Sequence, residues 1–453
     1  MSEHYEKAYA LQLKGDIPGC IVTLQQALLS NPLEVDAWNL RGAMLQKLGH
    51  PFDAVMNYDR AIEANPQAQF YNNRGAAYFD LEMFDEALRD YAEAIRLKPD
   101  LGQSWSNIGN VYMQERNTLK AIEAYRQATV CAPDYVDGHL GLAFALLEDG
   151  QFEEGWREFE WRWKSEQAAA RGLNIPEWDG SPGNENDGLL FYAEQGFGDA
   201  LQFIRYAAKV KERWGGKVYV EVKSPLARIS QTAPGVDGVI ILGEPIPGNV
   251  KAILPMMSAP RLLGHSFEAG EYLFADLQRA SVWRKALTCL SGMKIGICWA
   301  GGARPDHPIA NSVDKRRSTT LQAFAPLAMP GVSFVSLQVG DQAGQVKTPP
   351  KGMTILDVSE DVGDFADTAS LIECLDLVIT VDTAVAHLAA AIGKPVWLLS
   401  RYDNCWRWMN DRRDSPWYPT VTQFRQPKSG DWDGLMAEVS EELRKLVSQR
   451  KAA

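Results

Sequence analysis

Two hydrophobic patterns divide the chain. In the first part, small and aromatic positions return at a fixed step. Gly42, Gly75 and Gly109 stand 33 and 34 residues apart, and the same step relates Ala54, Ala87 and Ala121, Tyr58, Tyr91 and Tyr125, and Ala61, Ala94 and Ala128. Trp38, Tyr71 and Trp105 open the units, and Pro32, Pro66, Pro99 and Pro133 close them. Small residues let two antiparallel helices approach, the ring fills the groove between them, and the proline stops the second helix. The period predicts a stack of helix pairs. In the second part, short and nearly continuous apolar runs alternate with amphipathic stretches. Strands are predicted at 188–193, 217–222, 237–242 and 251–256, then at 293–300, 332–338, 353–358, 375–382 and 395–400. Such strands, separated by helices, predict parallel sheets covered on both faces. The series breaks near 260–291, so two α/β halves would meet there and form a cleft, with ligands beyond the carboxyl ends of the strands.

The repeats resemble the tetratricopeptide repeat. Their first unit is degenerate, with Cys20 and Leu24 at the small and aromatic positions, and a final unit near 135–165 keeps Gly150 and Phe159 and ends in a capping "GWREFEWRW". In such solenoids the concave face takes an extended peptide or a partner helix. Asn39, Asn72, Asn73 and Asn107, near the first turn of successive first helices, are either donors to a bound peptide backbone or solvated surface. The expected organisation is a repeat domain over 1–165, a Gly-, Pro- and Asn-rich linker over 166–187, a first lobe over 188–285 and a second over 286–453.

Charge and cysteine usage narrow the partners. A net charge of -12 over 453 residues argues against nucleic acid, whose phosphates need clustered cations. No apolar stretch is long enough to span a membrane, and the polar N-terminus lacks the apolar core of a signal peptide. Six cysteines are scattered singly, with no spacing that suggests zinc. They read as thiols in a reducing compartment, so the chain is expected in the cytoplasm, with no metal.

Three loops carry candidate chemistry. "EQGFGDALQF" follows the first predicted strand of the first half and contains Gln195, Gly196, Gly198 and Asp199. It is no dinucleotide fingerprint, because the third glycine position falls on Leu201. Asp199 is either a helix N-cap or a carboxylate aimed at substrate. "VDTAVAHLAAA" follows a buried strand of the second half. Asp382 and Thr383 are capping residues, and the helix opening at Ala384, with His387 facing out of its first turn, makes an anion site; the alternative is a structural cap with a core histidine. Lys315, Arg316 and Arg317 precede Ser318, read as a helix cap. They form the densest basic cluster of an acidic chain, either a pyrophosphate site or a solvated run.

The second half resembles the bacterial heptosyltransferases of glycosyltransferase family nine, and more closely the tetratricopeptide-repeat proteins that end in such a domain. The resemblance rests on "QGFGDAL", "APGVDGVIIL", "DTAVAHLAAA", "DFADTASLIECLDLVITVDTAVAHLA" and "WRWMNDRRDSPWYP". It implies a GT-B fold of two Rossmann-like lobes behind the α-solenoid, and an inverting, metal-independent transfer of sugar from a nucleotide-sugar, without a cofactor. Asp199 is then the general base. Lys315, Arg317, Ser318, Asp382, Thr383, Ala384 and His387 bind the donor, Arg317 preferred over Lys315. Gln338 either touches the nucleotide or is a polar residue at the core edge. Where the family has glycine this chain has Ala384, which strains the loop if φ is positive there and is harmless if only the N–H is used. Trp406, Trp408 and Trp417 either pack the C-terminal segment onto the first lobe or bind sugar. By analogy with repeat-bearing protein glycosyltransferases, the acceptor is a polypeptide hydroxyl. The rival is a scaffold whose degenerate transferase half binds a nucleotide-sugar without turnover.

Overall fold

The computed structural model describes residues 2–165, 172–265, 267, 270–302 and 308–452. The start of the expected linker (166–171) and part of the basic loop (303–307) lie outside the described residues. The chain divides into two compact units, Met1–Ala169 and Ala170–Ala453.

The first unit is an α-solenoid. Ten helices run from Glu3–Leu13 to Phe152–Phe159, followed by a short turn at Glu160–Lys164. The glycine period has a steric cause. A β-carbon on Gly42 would lie 2.7 Å from the Tyr58 ring, and one on Gly75 or Gly109 would lie 2.6 Å from the ring of Tyr91 or Tyr125. The period-forming alanines, from Ala54 to Ala128, are fully buried. In the degenerate first unit Cys20 and Leu24 share a buried cluster with Ala8, Leu28 and Ala37. Gly150 is not a groove residue: it closes the helix Val136–Asp149 in the left-handed region at φ 86°, where glycine carries no Cβ penalty. Gly141 instead faces the Tyr125 ring.

The asparagines form a ladder along the solenoid. Asn73 Nδ2 donates to Asn39 Oδ1 at 2.9 Å, and buried Asn72 Oδ1 accepts from Ser104 Oγ at 2.9 Å and Asn107 Nδ2 at 3.0 Å. Neither earlier alternative describes Asn72, which ties one repeat to the next.

The second unit holds two wholly parallel sheets. The first comprises β1 (Gly188–Tyr192), β2 (Lys217–Val222), β3 (Gly238–Ile241) and β4 (Val250–Pro255) in the order β3-β2-β1-β4. The second comprises β5 (Met293–Cys298), β6 (Val332–Ser336), β7 (Ile355–Asp357), β8 (Leu377–Val381), β9 (Val396–Ser400) and β10 (Val421–Arg425) in the order β10-β9-β8-β5-β6-β7. This is the order of a doubly wound Rossmann sheet, and the first sheet is its shorter version. Strand order reverses between β1 and β4 and between β5 and β8. The loops after those strands flank the two crevices where such sheets take ligands.

Two expected boundaries shift. Residues 176–178 are not linker: Trp178 N donates to Ile253 O at 2.8 Å and Ile253 N to Pro176 O at 3.0 Å, so this segment extends the edge of the first sheet beside β4. Burial of the Trp178 ring, with its indole N–H bonded to Ser181 O at 2.6 Å, draws it there. The helix Leu277–Ala286, expected in the first lobe, packs on the second-lobe helix Phe365–Ile372: Cys374 Sγ, just beyond that helix, lies 3.1 Å from Ala280 O, and Arg279 lies 3.6 Å from Asp367. The last helix, Trp432–Ala452, sets Leu435, Met436, Val439 and Leu443 into the second sheet's core with Ile295, Phe334 and Leu399.

Candidate active site

The turn after β1 leads into the short helix Phe197–Phe203, whose N-cap is Gly196. Asp199 is the third helical residue, not the N-cap. Its Oδ2 accepts from the Gly196 N–H at 2.8 Å, the return bond that satisfies a donor at the helix start. Gln195 is exposed. Gly196 has an ordinary φ of -77°, so it needs no left-handed backbone. Gly198 is required for a different reason: a β-carbon there would stand 2.8 Å from His387 Cδ2 and 3.7 Å from Ala384 Cα. The turn after β1 therefore lies directly on the helix that follows β8.

That helix is Ala384–Ala391, with Thr383 as N-cap. Thr383 makes no side-chain capping bond; its hydroxyl lies 3.2 Å from Thr380 Oγ1 and 3.8 Å from Cys298 Sγ. Asp382 directly follows the strand and is half-buried. Ala384 is the first helical residue and is absent from the positive-φ positions, so alanine fits without strain. His387 does not face out. It is buried, its Nδ1 is 2.9 Å from Tyr418 Oη, and its ring stacks on Trp408 at 5.2 Å. Burial depresses its pKa to about 4 against the pull of Asp382, so it is a neutral imidazole at neutral pH and supplies no charge to a phosphate.

Asp199 has a second partner that the sequence reading missed. Its Oδ1 is ion-paired with Arg407 Nη2. Arg407 Nε donates to Gln202 Oε1 at 2.7 Å, Nη1 approaches Cys405 Sγ at 3.3 Å, and the guanidinium lies over the Trp406 ring at 4.3 Å. Burial would discharge it, but the Asp199 charge holds it firmly as a cation. The signal was present in "WRW", a cation flanked by two large rings. The same loop, between β9 and β10, contains three non-glycine residues with positive φ: Asn404 (37°), Met409 (53°) and Asp411 (55°). Each costs on the order of 1 kcal/mol and persists only where neighbours hold it. Here Asn404 Nδ2 and Gln423 Nε2 bind the carbonyls of Met409 and Trp408, both at 2.8 Å. Trp417 packs against Phe203 at 5.9 Å and so joins this segment to the first lobe, whereas Trp408 packs within the second lobe on His387.

The basic cluster differs from expectation. Lys315, Arg316 and Arg317 form the last turn of the helix Pro308–Arg317, where cations complement the dipole. Ser318 therefore follows a helix end and caps no helix start; its Oγ accepts from Gly301 N at 3.0 Å. Arg317 is held by Asp314 at 2.9 Å and Arg316 by Asp403 at 2.8 Å, whereas Lys315 is exposed. Gln338 is saturated. Its Oε1 accepts from Trp299 N and Ala300 N at 3.1 and 2.9 Å, and its Nε2 donates to Ala300 O and Val339 O, both at 3.1 Å. It clamps the loop after β5, with no hydrogen-bonding group turned toward a ligand. Among the described residues, no group of three or more His, Cys, Asp or Glu side chains is placed to hold a metal ion, and no helix is long and apolar enough to cross a membrane.

Residues 363–429, which span the helix after β8 and the Arg407 loop, match glycosyltransferase family 9 (heptosyltransferase). Residues 68–101 and 102–134 match the tetratricopeptide repeat. The chain joins tetratricopeptide repeats to a glycosyltransferase family 9 region. Both the resemblance and the fold class expected from sequence are borne out. Over 93% of its length this glycosyltransferase-like protein is 25% identical to Protein FlbA of Caulobacter vibrioides, of which it spans 74%. Over 28% of its length it is 25% identical to Tetratricopeptide repeat protein 6 of Homo sapiens, of which it spans 24%. Among solved structures, MamA is 22% identical, with 36% of this chain and 94% of that one covered at a TM-score of 0.32.

Proposed function

We propose that the second unit is an inverting, metal-independent GT-B glycosyltransferase that moves a sugar from a nucleotide-sugar to a hydroxyl of a polypeptide recruited by the repeats, in the cytoplasm and without a cofactor. The observation that carries this reading is the contact of Gly198 with Ala384 and His387, which joins the ligand-side turn of one sheet to that of the other. Asp199, one residue on, takes the proton of the attacking hydroxyl. The amides that open the helix at Ala384, together with exposed Lys315, meet the charge of the departing diphosphate. Gln338 and Ser318 act behind them by holding the loop after β5. On the repeats, the half-buried Asn39, Asn73 and Asn107 are the polar groups nearest to a bound peptide's needs.

One observation favours a second reading, a scaffold that binds a nucleotide-sugar without turnover: both oxygens of Asp199 are already engaged. Ala384 lends that reading no support, since it sits in ordinary helix. A thermal-shift screen of nucleoside diphosphates and their sugars comes first, because a ligand at about 100 times its Kd stabilises by roughly 2.7 kcal/mol. Sugar release and transfer are then followed for the wild type and for Asp199→Asn. Transfer that persists undiminished in Asp199→Asn removes the base assignment; binding without turnover for every donor selects the scaffold.

A further inference from the structure

Arg407 forms an ion pair across the two lobes. Asp199, its ion-pair partner, belongs to the helix that opens after β1, while Asp382, just after β8, adds a weaker pull on its charge. The other cations of the site are held within the second lobe: Arg317 by Asp314, and Arg316 and Arg401 by Asp403. Arg407 alone among these reaches across to the first lobe, and what it reaches is the carboxylate assigned as base. Its Nε bond to Gln202 and its Nη1 contact with Cys405 Sγ anchor the guanidinium, and Nη2 is the nitrogen turned to Asp199. Nη2 can donate to a phosphate oxygen as well as to a carboxylate oxygen, since both are anionic acceptors.

We propose that Arg407 is a positioning residue shared between Asp199 and the donor's diphosphate, so that donor binding draws the guanidinium off the base and uncovers it. The inference rests on the glycosyltransferase reading above. It also reconciles that reading with a base whose oxygens are both engaged. Release of the base from its cation is thereby tied to the presence of donor. The sign of the linkage follows. Asp199 and the diphosphate compete for one cation, so removing the carboxylate strengthens diphosphate binding, while removing the cation weakens it.

The test is calorimetry of ADP, GDP, UDP and CDP with the full chain and its variants. For whichever diphosphate binds, Asp199→Asn is expected to tighten it several-fold. Arg407→Gln is expected to weaken it at least about tenfold, the worth of a charged hydrogen bond, with Arg407→Lys in between. A packing role alone moves neither affinity in the tightening direction. Circular dichroism checks each fold, and if Arg407→Gln does not fold, Arg407→Lys and Asp199→Asn still fix the sign. A diphosphate that binds the wild type but binds Asp199→Asn with equal or lower affinity overturns the shared-cation role and leaves the glycosyltransferase reading standing. No binding of any diphosphate overturns both.

Discussion

Gly198 and His387 meet where the ligand-side turns of the two sheets cross, and there is no room between them for a methyl group. A β-carbon at 198 would stand 2.8 Å from His387 Cδ2. The ring cannot swing aside, because Tyr418 holds its Nδ1 and Trp408 its face. Gly198→Ala must therefore push the turn after β1 away from the helix at Ala384. Overpacking of this kind costs about 1–3 kcal/mol. Urea unfolding is expected to show that loss. Activity, if Asp199 is the base, is expected to fall further than stability, because the turn that moves is the one carrying the carboxylate.

His387 gives stability a dependence on acid. Its folded-state pKa is about 4, against roughly 6.5 in an unfolded chain, so below the higher value the unfolded state binds a proton that the folded state refuses. Stability is then fully present above about 6.5 and falls with decreasing pH until the folded group itself protonates near 4, at up to about 1.4 kcal/mol per pH unit for one such group. His265, depressed to about 4 by burial with Arg205 and Lys209 nearby, acts in the same window. Urea midpoints measured across the window are expected to decline for the wild type and to decline less steeply for His387→Gln. An equal slope in that variant would place the effect elsewhere.

Much of this was legible in the chain. The glycine–tyrosine period appears in space as rings lying on backbone, and a steric rule between neighbouring helices is local enough to be written as a repeat. The strands at 188–193 and 375–382 were visible because both their faces are covered. β10 was not, because Thr422, Gln423 and Arg425 break its apolar run, and Gln423 is buried in order to bind the Trp408 and Asp414 carbonyls. The turn at Asp199 and the helix at Ala384 announced themselves through glycine and capping residues. Arg407, the ion-pair partner of Asp199, showed only as a cation between two rings in "WRW", because an ion pair across 208 positions leaves no periodicity that names its partner. The partners of the basic cluster were hidden because charge content does not reveal pairing: Arg316 and Arg317 are ion-paired with Asp403 and Asp314.

Asp199 is costly to delete for reasons separate from chemistry. With side-chain exposures of 21% for Asp199 and 11% for Arg407, the pair is largely withdrawn from water. Removing one member leaves the other charge without compensation, which costs about 3 kcal/mol or more. The return bond to Gly196 disappears as well. Asp199→Ala is expected to lower the urea midpoint substantially, and Asp199→Asn less, because the amide oxygen still accepts. The double variant Asp199→Ala, Arg407→Leu is expected to lose less than the sum of its parts, since no orphaned charge remains. Strict additivity would show that the pair carries no coupling. Any kinetic use of Asp199→Ala should be made well below its own melting point.

Gln338 separates a clamp from a ligand contact. Four hydrogen bonds tie it to Trp299, Ala300 and Val339, and it is buried, so the side chain has no capacity left for a nucleotide. Gln338→Leu keeps the volume but strips two buried amides of their acceptor. Each such orphan costs about 1–3 kcal/mol, so the variant is expected to lose about 2–4 kcal/mol in total after relaxation. The discriminating measurement is the thermal shift produced by a saturating nucleoside diphosphate. If Gln338 acts only by holding the loop after β5, the variant melts earlier both with and without nucleotide, and the ligand-induced increment is nearly preserved. If the increment collapses while the ligand-free protein melts as before, Gln338 touches the nucleotide directly, and the clamp assignment falls.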